Sequence, residues 1–300
     1  MRTLLTLLLA AMPMLAFEYD LTPSKVNVST YCFFGKPEVM DTHNNGNMSN
    51  SCFVDMGTGY LVIDSGPTYL YAKQAYALMK KIKNLPISHV INTHTHDDHW
   101  LGNAYYKEIG VNIIGSKEFK NEVKPEKTRM QMRISKEAYA GTEQIFPNIF
   151  VDNKKVLELD GKKVTIESVN KKAHTNSDLF VYIPEYSTLF AGDLVFNERI
   201  PSIRDGNINN WIEALDTIKA MNVKYIIGGH GEIVDKTSVD ATYKYLTQLK
   251  EKISSAMEEG EDLDDAVNSI TMVDFRNFKM YDGMHRQNVA IAYRMLEWEQ

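Results

Sequence analysis

The chain has 300 residues, with 33 lysines and arginines against 39 aspartates and glutamates, so its formal net charge is −6. That length supports one large domain or two modest ones. A hydrophobic fraction of 44% is ordinary for a globular core. The acidic balance and the lack of a basic stripe argue against nucleic acid or an anionic membrane as a partner, and a nuclease is the least expected activity.

The N-terminal stretch "MRTLLTLLLAAMPMLAFEYD" combines Arg2, an apolar run over residues 4–11 and a following group of small residues. This pattern predicts a secretory signal peptide over residues 1–16. The apolar run is too short to span a membrane comfortably. Met14 fits poorly with cleavage after Ala16, so an uncleaved anchor is the alternative. We therefore expect an exported protein, periplasmic or secreted, without stable membrane insertion once the signal is removed.

The first half of the chain alternates strand-like and helix-like segments. Strands are predicted over residues 26–33, 52–56 and 60–64, in "PISHV" and in "VNIIGS". Helices are predicted over residues 69–83 and in "LGNAYYKEIG". Residues 117–147 are polar and are interpreted as helix and loop. This order favours α/β layering.

The second half repeats that order of strands followed by helices. "KKVLELDGKKVTIESVN" predicts a hairpin that turns at Asp160 and Gly161, and "DLFVYIPEYSTLFAGDLVF" predicts two more strands. An amphipathic helix follows in "NINNWIEALDTIKAMN", then a strand in "VKYIIGGHG", and the pattern is helical from about residue 238. Two such halves predict a two-sheet sandwich with outer helices.

The two cysteines, Cys32 and Cys52, lie in strand-like segments on either side of a polar loop. In a long hairpin they could face each other, and export would permit a disulfide. Such a bond would close a loop of about 20 residues and stabilise the fold by about 3 kcal/mol. The alternative is two independent buried thiols.

The stretch "INTHTHDDHWLGN" places three of the eight histidines and two aspartates in six consecutive positions, 94 to 99. They follow a short apolar strand, and ligands gather at strand ends in open α/β sheets. Packing so many polar groups there is costly unless a cation compensates. His174, Asp193 and His230 each also flank a predicted strand, with His174 before its strand and the other two after theirs.

Imidazole and carboxylate are ligands that zinc accepts readily. Seven such groups suffice for two ions, with space left for water. The other three histidines are expected to be solvated or hydrogen-bonded rather than to bind metal: His43, His89 and His285.

"THTHDDH", together with the later His174, Asp193 and His230, resembles the metallo-β-lactamase superfamily, and the resemblance extends from about residue 26 to 240. It implies an α/β (α+β) fold, a four-layer αββα sandwich over residues 17–240 with a C-terminal helical extension over residues 241–300 packed on it. It also implies two metal ions. One would be held by His94, His96 and His174; the other by Asp98, His99 and His230; and Asp193 would bridge them.

The resemblance further implies that Asp64, in "VIDSG", orients a ligand imidazole. Two Zn²⁺ ions per chain are expected, with iron or manganese as alternatives. A hydroxide held by the ions would attack a carbonyl, and Asp98 would act as the catalytic residue that orients it and moves a proton. Neither cysteine fits the site motifs.

The chain departs from one class of secreted metallo-β-lactamases, which carries a cysteine at the position of Asp193 and a lysine at the position of Phe196. Arg199 or Arg204 could substitute for that lysine in holding a substrate carboxylate, with a surface role as the alternative. "DLVFNERIPSIRDGNINNWIEAL" and "HRQNVAIAYRMLE" are similar to exported quinoprotein relay system zinc metallohydrolases and to sulfur-oxidation-associated proteins.

The predicted function is therefore an exported dinuclear zinc hydrolase of a small ester, thioester or amide. Three alternatives stay open: a β-lactamase, an iron-dependent sulfur dioxygenase, and a non-catalytic metal-binding relay partner. The expected partner is a small-molecule substrate, and the sequence indicates no particular oligomeric state.

Overall fold

A computed structural model of the protein describes residues 17–124 and 126–299. The predicted signal peptide over residues 1–16 lies outside this described part. The strands within it are β1 Ser24–Lys25, β2 Thr30–Phe33, β3 Ser51–Asp55, β4 Tyr60–Ile63, β5 Ile87–Ile91, β6 Asn112–Ser116, β7 Ile149–Val151, β8 Lys154–Leu159, β9 Lys162–Ser168, β10 Leu179–Ile183, β11 Thr188–Phe196 and β12 Tyr225–His230. The helices are α1 Tyr69–Ile82, α2 Asp97–Trp100, α3 Asn103–Glu108, α4 Phe119–Glu122, α5 Arg129–Arg133, α6 Lys136–Tyr139, α7 Ile208–Ala220, α8 Asp240–Glu258, α9 Leu263–Ser269 and α10 Tyr281–Trp298.

The strands form two mixed sheets. The first contains β1 to β7 in chain order, antiparallel up to β4 and parallel from β4 to β7. The second has the order β12-β11-β10-β9-β8, in which only β11 and β12 run parallel. The predicted hairpin turn joins β8 to β9, and Asp160 and Gly161 both have positive φ, as such two-residue turns require.

The two sheets pack face to face, and side-chain alternation divides each strand between two cores. In β4, Leu61 and Ile63 point into the core between the sheets, whereas Tyr60 and Val62 contact the helices outside the first sheet. This outer layer is formed by α1 and α3, and α1 is capped by Thr68, whose hydroxyl accepts a hydrogen bond from the backbone amide of Tyr71.

The outer face of the second sheet is covered by α7, α8 and α10. Trp211, Tyr245 and Val289, one from each helix, share a buried core with β11 residues such as Leu189. The layers are therefore helix, sheet, sheet and helix, which confirms the predicted αββα sandwich and its C-terminal helices. None of the helices within residues 17–124 and 126–299 combines the length and apolar character needed to cross a membrane.

The strand predicted over residues 26–33 begins only at Thr30 in the structure, so the first half of this prediction is wrong. β1 ends at Lys25 and β2 begins at Thr30. The side-chain oxygen of Asn27 accepts hydrogen bonds from the backbone amides of Ser29 and Thr30, both at 2.9 Å. Asparagine folds its own backbone into a turn in this way, and the turn separates the two strands.

Cys32 and Cys52 are directly opposite each other in the register of β2 and β3, and a disulfide joins them. Both side chains are buried between the sheets. The bond closes the polar loop that connects the two strands, and this loop contacts the site described below.

Removal of this disulfide should lower stability without changing the site. We expect the double variant Cys32→Ala/Cys52→Ala to lose about 3 kcal/mol of unfolding free energy, because its unfolded chain is no longer cross-linked. Urea unfolding monitored by circular dichroism measures the loss. Wild-type protein treated with a reductant is the control, and an unchanged midpoint there would contradict the expectation.

Candidate metal centre

The sheets bring the chemistry-bearing side chains to one edge of the sandwich. His94 and His96 follow the end of β5, and Asp98 and His99 lie in the short helix α2 that comes next. His230 is the last residue of β12. Because β10 is antiparallel to β11, His174, which precedes β10, also lies at this edge. The carboxyl ends of β5 and β12 and the start of β10 therefore lie at one edge, where ligands are expected in sheets of this kind.

At this edge, seven side chains form two groups whose candidate ligand atoms lie within 4.8 Å of one another in each group. The first group is His94, His96, His174 and Asp193; the second is Asp98, His99 and His230. All seven are buried except His96, which is half-buried. The structure thus brings together every residue that the sequence analysis proposed as a metal ligand.

Asp193 lies between the two groups. Its Oδ2 is 3.6 Å from His94 Nε2, 3.3 Å from His174 Nε2 and 3.3 Å from His230 Nε2. Its Oδ1 is 3.2 Å from His99 Nε2. One carboxylate therefore faces imidazoles of both groups, which is the position that a bridging ligand needs.

Asp193 lies inside β11, and not after the strand as the sequence analysis expected. The register between β11 and β12 shifts on either side of Gly192, and this irregularity lets the Asp193 carboxylate point into the edge. Gly229 on β12 leaves the room it needs, because a Cβ there would lie 1.9 Å from Asp193 Oδ1.

Asp64 follows β4 and holds His99. Its Oδ2 is 2.9 Å from His99 Nδ1 and accepts a hydrogen bond from the Thr93 hydroxyl at 2.8 Å, while its Oδ1 accepts one from the Thr93 amide at 2.7 Å. The Nδ1 of His99 donates to Asp64, so its Nε2 is directed at the second group. A carboxylate placed in this way orients a ligand imidazole and raises its basicity.

Asp205 performs the same task for His96, and the sequence analysis missed it. Its Oδ2 is 3.1 Å from His96 Nε2 and also accepts a hydrogen bond from Arg204 Nε at 2.7 Å. His96 therefore presents Nδ1 to the first group, 2.9 Å from His174 Nε2. The contact joins residues 109 positions apart, and the sequence signal is only an acidic residue in a loop.

Contacts with backbone groups position two more of the histidines, His230 and His174. His230 Nδ1 is 2.6 Å from the Met48 carbonyl oxygen, which leaves Nε2 for the second group. The loop of His174 is folded around Asp178, whose Oδ2 accepts hydrogen bonds from the amides of His174 and Thr175 at 2.7 and 2.8 Å. Burial raises the pKa of Asp178 to about 7, against these hydrogen bonds, which favour its ionised form.

The donor set fits divalent metal ions. Five buried polar atoms of the two groups have no hydrogen-bond partner among the described residues: His94 Nε2, Asp98 Oδ2, His99 Nε2, His174 Nδ1 and Asp193 Oδ1. Such unpartnered atoms are rare in buried positions and cluster where an ion satisfies them. Burial holds the pKa of His94 well below its usual range, which keeps the imidazole in the neutral form that binds metal.

Burial opposes ionisation of Asp193, but the surrounding imidazoles of His230, His99 and His94 hold its pKa well below the usual range. Asp193 is therefore a carboxylate, the form that a bridging ligand requires.

The remaining histidines lie outside both groups. His43 is in an exposed loop and His89 is half-buried on β5. His285 is buried in α10, where Nδ1 is 3.0 Å from the Tyr245 hydroxyl and Nε2 is 3.2 Å from the Ile270 carbonyl oxygen. Its role within the described residues is to connect helices.

A four-layer αββα sandwich with histidines and aspartates gathered at one edge defines a class of metal-dependent hydrolases. The chain belongs to the metallo-beta-lactamase superfamily, a hydrolase superfamily, because the family model of that description matches residues 44–230. The narrower likeness to quinoprotein relay system and sulfur-oxidation-associated proteins stays a prediction.

Individual relatives are distant. The chain is 23% identical over 197 residues to the "Metallo-beta-lactamase type 2" of Bacillus cereus, covering 63% of this chain and 69% of that one. It is 22% identical over 218 residues to the "Beta-lactamase-like protein 2 homolog" of Caenorhabditis elegans, covering 72% and 67%. Among solved structures, a metallo-beta-lactamase from Pontibacter korlensis superposes with a TM-score of 0.60 at 18% identity, covering 76% of this chain and 99% of that chain. These structural likenesses establish the fold.

Asp98→Ala tests the second ligand group. If Asp98, His99 and His230 hold an ion, this variant should contain one metal ion per chain where the wild type contains two, as measured by elemental mass spectrometry. His285→Ala is the control and should keep its full metal content. Two ions in the Asp98 variant would contradict the assignment of that residue, and a lost ion in the His285 variant would contradict its structural role.

Asp205→Asn tests the support of His96. We expect metal affinity to fall about 10- to 100-fold, because the amide no longer orients the imidazole as a carboxylate does. Competition with a coloured chelator measures the affinity. Asp216→Asn, on the exposed outer side of α7, provides a matched control. Equal affinities in all three proteins would show that the contact between Asp205 and His96 does not support metal binding.

Proposed function

We propose that the protein is an exported hydrolase that holds two Zn²⁺ ions, or iron or manganese in their place, and cleaves a small ester, thioester or amide. The observation that carries this proposal is the position of Asp193, whose two oxygens face buried imidazoles of both ligand groups. With a single ion, the buried polar and charged side chains of one group would have no cation to offset the cost of their desolvation.

His94 Nε2, His96 Nδ1 and His174 Nε2 would hold one ion, and the second group would hold the other, with Asp193 between them. Ions bound there supply a hydroxide nucleophile near neutral pH and an electrophile for the substrate carbonyl oxygen. The chain's own contribution is to fix the directions of His99, His96 and His230, through Asp64, Asp205 and the Met48 carbonyl.

Asp98 is placed to orient the attacking water and to move its proton. Its Oδ2 is buried and unpartnered, 3.6 Å from His99 Nε2 and 3.7 Å from His230 Nε2. The Ser49 hydroxyl donates a 2.7 Å hydrogen bond to the Asp98 backbone carbonyl and holds this residue in place. A general base needs such reach to the proton that it takes.

Export is supported by the disulfide between Cys32 and Cys52, since such bonds persist in oxidising compartments. The apolar N-terminal stretch supports it independently, because it has the order of a signal peptide. We therefore place the mature protein in the periplasm or outside the cell.

β-Lactam hydrolysis is the second candidate, and the names of the relatives favour it. Position 196 differs from the β-lactamases that carry a lysine there, because the Phe196 ring is stacked on His230 at 4.9 Å between centroids and supplies no cation, so a substrate carboxylate would have to bind another residue such as Arg199. A surface role for Arg199, the alternative that its sequence position allows, is wrong, because only 4% of Arg199 is exposed.

The decisive experiment combines metal analysis with hydrolysis. We expect two zinc ions per chain by elemental mass spectrometry, and hydrolysis of small chromogenic esters or thioesters that is lost in the Asp98→Ala variant and in chelator. A chromogenic cephalosporin should be turned over much more slowly than the preferred ester. One iron per chain with oxygen consumption would identify the dioxygenase alternative instead, and a full metal content without turnover of any ester, thioester or amide would favour the relay partner.

A further inference from the structure

Arg199 is a buried cation without a carboxylate partner. Its Nη1 is 3.4 Å from His230 Nδ1, which is already occupied by the Met48 carbonyl, and its Nη2 is 3.9 Å from the sulfur of Met284. Its Nε has no hydrogen-bond partner, and Arg199 forms no ion pair within the described residues. A buried, unpaired charge is costly, so this guanidinium is arranged for an anion from outside the chain.

Arg199 lines a cavity of about 400 Å³ that opens over Asp98, Asp193 and His230. Three more arginines line the same cavity: Arg129, Arg133 and Arg204. Arg129 and Arg133 are the first and last residues of α5, one helical turn apart, so they project from the same face.

The acidic residues of this cavity are already committed to partners. Asp97 accepts a hydrogen bond from the Met130 amide at 2.9 Å. Asp205, which follows the lining residue Arg204 but does not itself line the cavity, pairs with Arg204 and His96. Asp98 and Asp193 face the imidazoles. Within the part of the chain that the structure describes, Arg129, Arg133 and Arg199 take part in none of the ion pairs, whereas Arg204 does. The cavity therefore has an excess of unused guanidinium groups.

Flexible apolar side chains form another part of the wall. Four methionines line the cavity: Met40, Met48, Met280 and Met284. Thioether side chains adapt to the shape of an apolar ligand. Met280 immediately precedes α10 and Met284 lies in it, outside the region that matches the family. The C-terminal helix therefore supplies part of the apolar wall from residues that the family match does not include.

We infer that the substrate of this site is an amphiphilic dianion, in which one negative group binds Arg199 beside His230, a second binds Arg129 and Arg133 at the mouth, and an apolar body contacts the methionines. Guanidinium groups suit planar carboxylates and phosphates, since they donate two parallel hydrogen bonds. This inference rests on the proposed function for the position of the cleaved bond, but the binding of the dianion does not depend on hydrolysis.

Isothermal titration calorimetry on the metal-loaded protein tests the inference with 3-phenylglutarate, which has two carboxylates and an apolar ring, and with its monomethyl ester. We expect the diacid to bind about 10- to 100-fold more tightly than the monoester, the range that charged hydrogen bonds confer. Arg199→Gln should weaken both ligands by a similar factor. The double variant Arg129→Gln/Arg133→Gln should weaken the diacid alone, and Arg199→Lys should bind with intermediate affinity because it keeps the charge but loses the fork.

Arg294→Gln, an exposed position on α10, is the matched control and should bind both ligands as the wild type does. Metal content is measured for every variant, and affinities are compared only between proteins with equal metal content. Direct binding of a carboxylate to the ions then contributes equally to each affinity. Equal affinity for diacid and monoester in the wild type, or undiminished binding in Arg199→Gln, would overturn the inference. If the protein binds the diacid tightly but hydrolyses no ester, thioester or amide, only the proposed function is refuted. If it hydrolyses neutral esters faster than anionic ones, only the inference of a dianionic substrate is refuted.

Discussion

The burial of the Asp193 carboxylate among four imidazoles is the interaction on which the rest of the site depends. Its oxygens lie 3.2 to 3.6 Å from nitrogens of His94, His99, His174 and His230. A buried carboxylate is stable only when opposite charge surrounds it. The four histidines come from both sheets, so the two sheet edges must be held together for Asp193 to be compensated, and the sandwich core between the sheets provides this alignment.

The imidazoles in turn depend on partners behind them. Asp64 holds His99, Asp205 holds His96, and the Met48 carbonyl holds His230. Asp205 belongs to a loop that is itself fixed by the C-terminal helix, where Asn288 donates to the Pro201 carbonyl at 2.8 Å and accepts from the Ile203 amide at 3.3 Å. The helical extension thus contributes to the direction of a candidate metal ligand as well as to the core, since the partners of ligands tune a site almost as strongly as the ligands do.

The sequence predicts the parts of this arrangement that are local. The spacing of His94, His96, Asp98 and His99 after a buried strand indicates a metal site, and side-chain periodicity predicts α1 and the β8–β9 hairpin. Prediction from the sequence fails where a residue's position or role depends on a contact with a part of the chain that is distant in sequence. The role of Asp205 requires a partner 109 residues away, and the burial of Arg199 beside His230 follows only from the tertiary fold. The turn at Asn27 and the irregular register around Gly192 are local, but their effect depends on the partner strand.

The fold leaves the substrate undetermined, because one architecture supports many reactions and the selection is made by side chains around the reacting atoms. In this chain, Phe196 covers His230 and at the same time lies beneath the guanidinium of Arg199, 5.4 Å from the ring centroid. The aromatic ring therefore replaces a possible cation at position 196 and supports the guanidinium of Arg199 instead. Because Arg199 also contacts Met284 of α10, the helix outside the family-matched region helps to set where the charge lies. The C-terminal helix and the β11–α7 loop thus both line the cavity above the ligand cluster that the shared fold supplies.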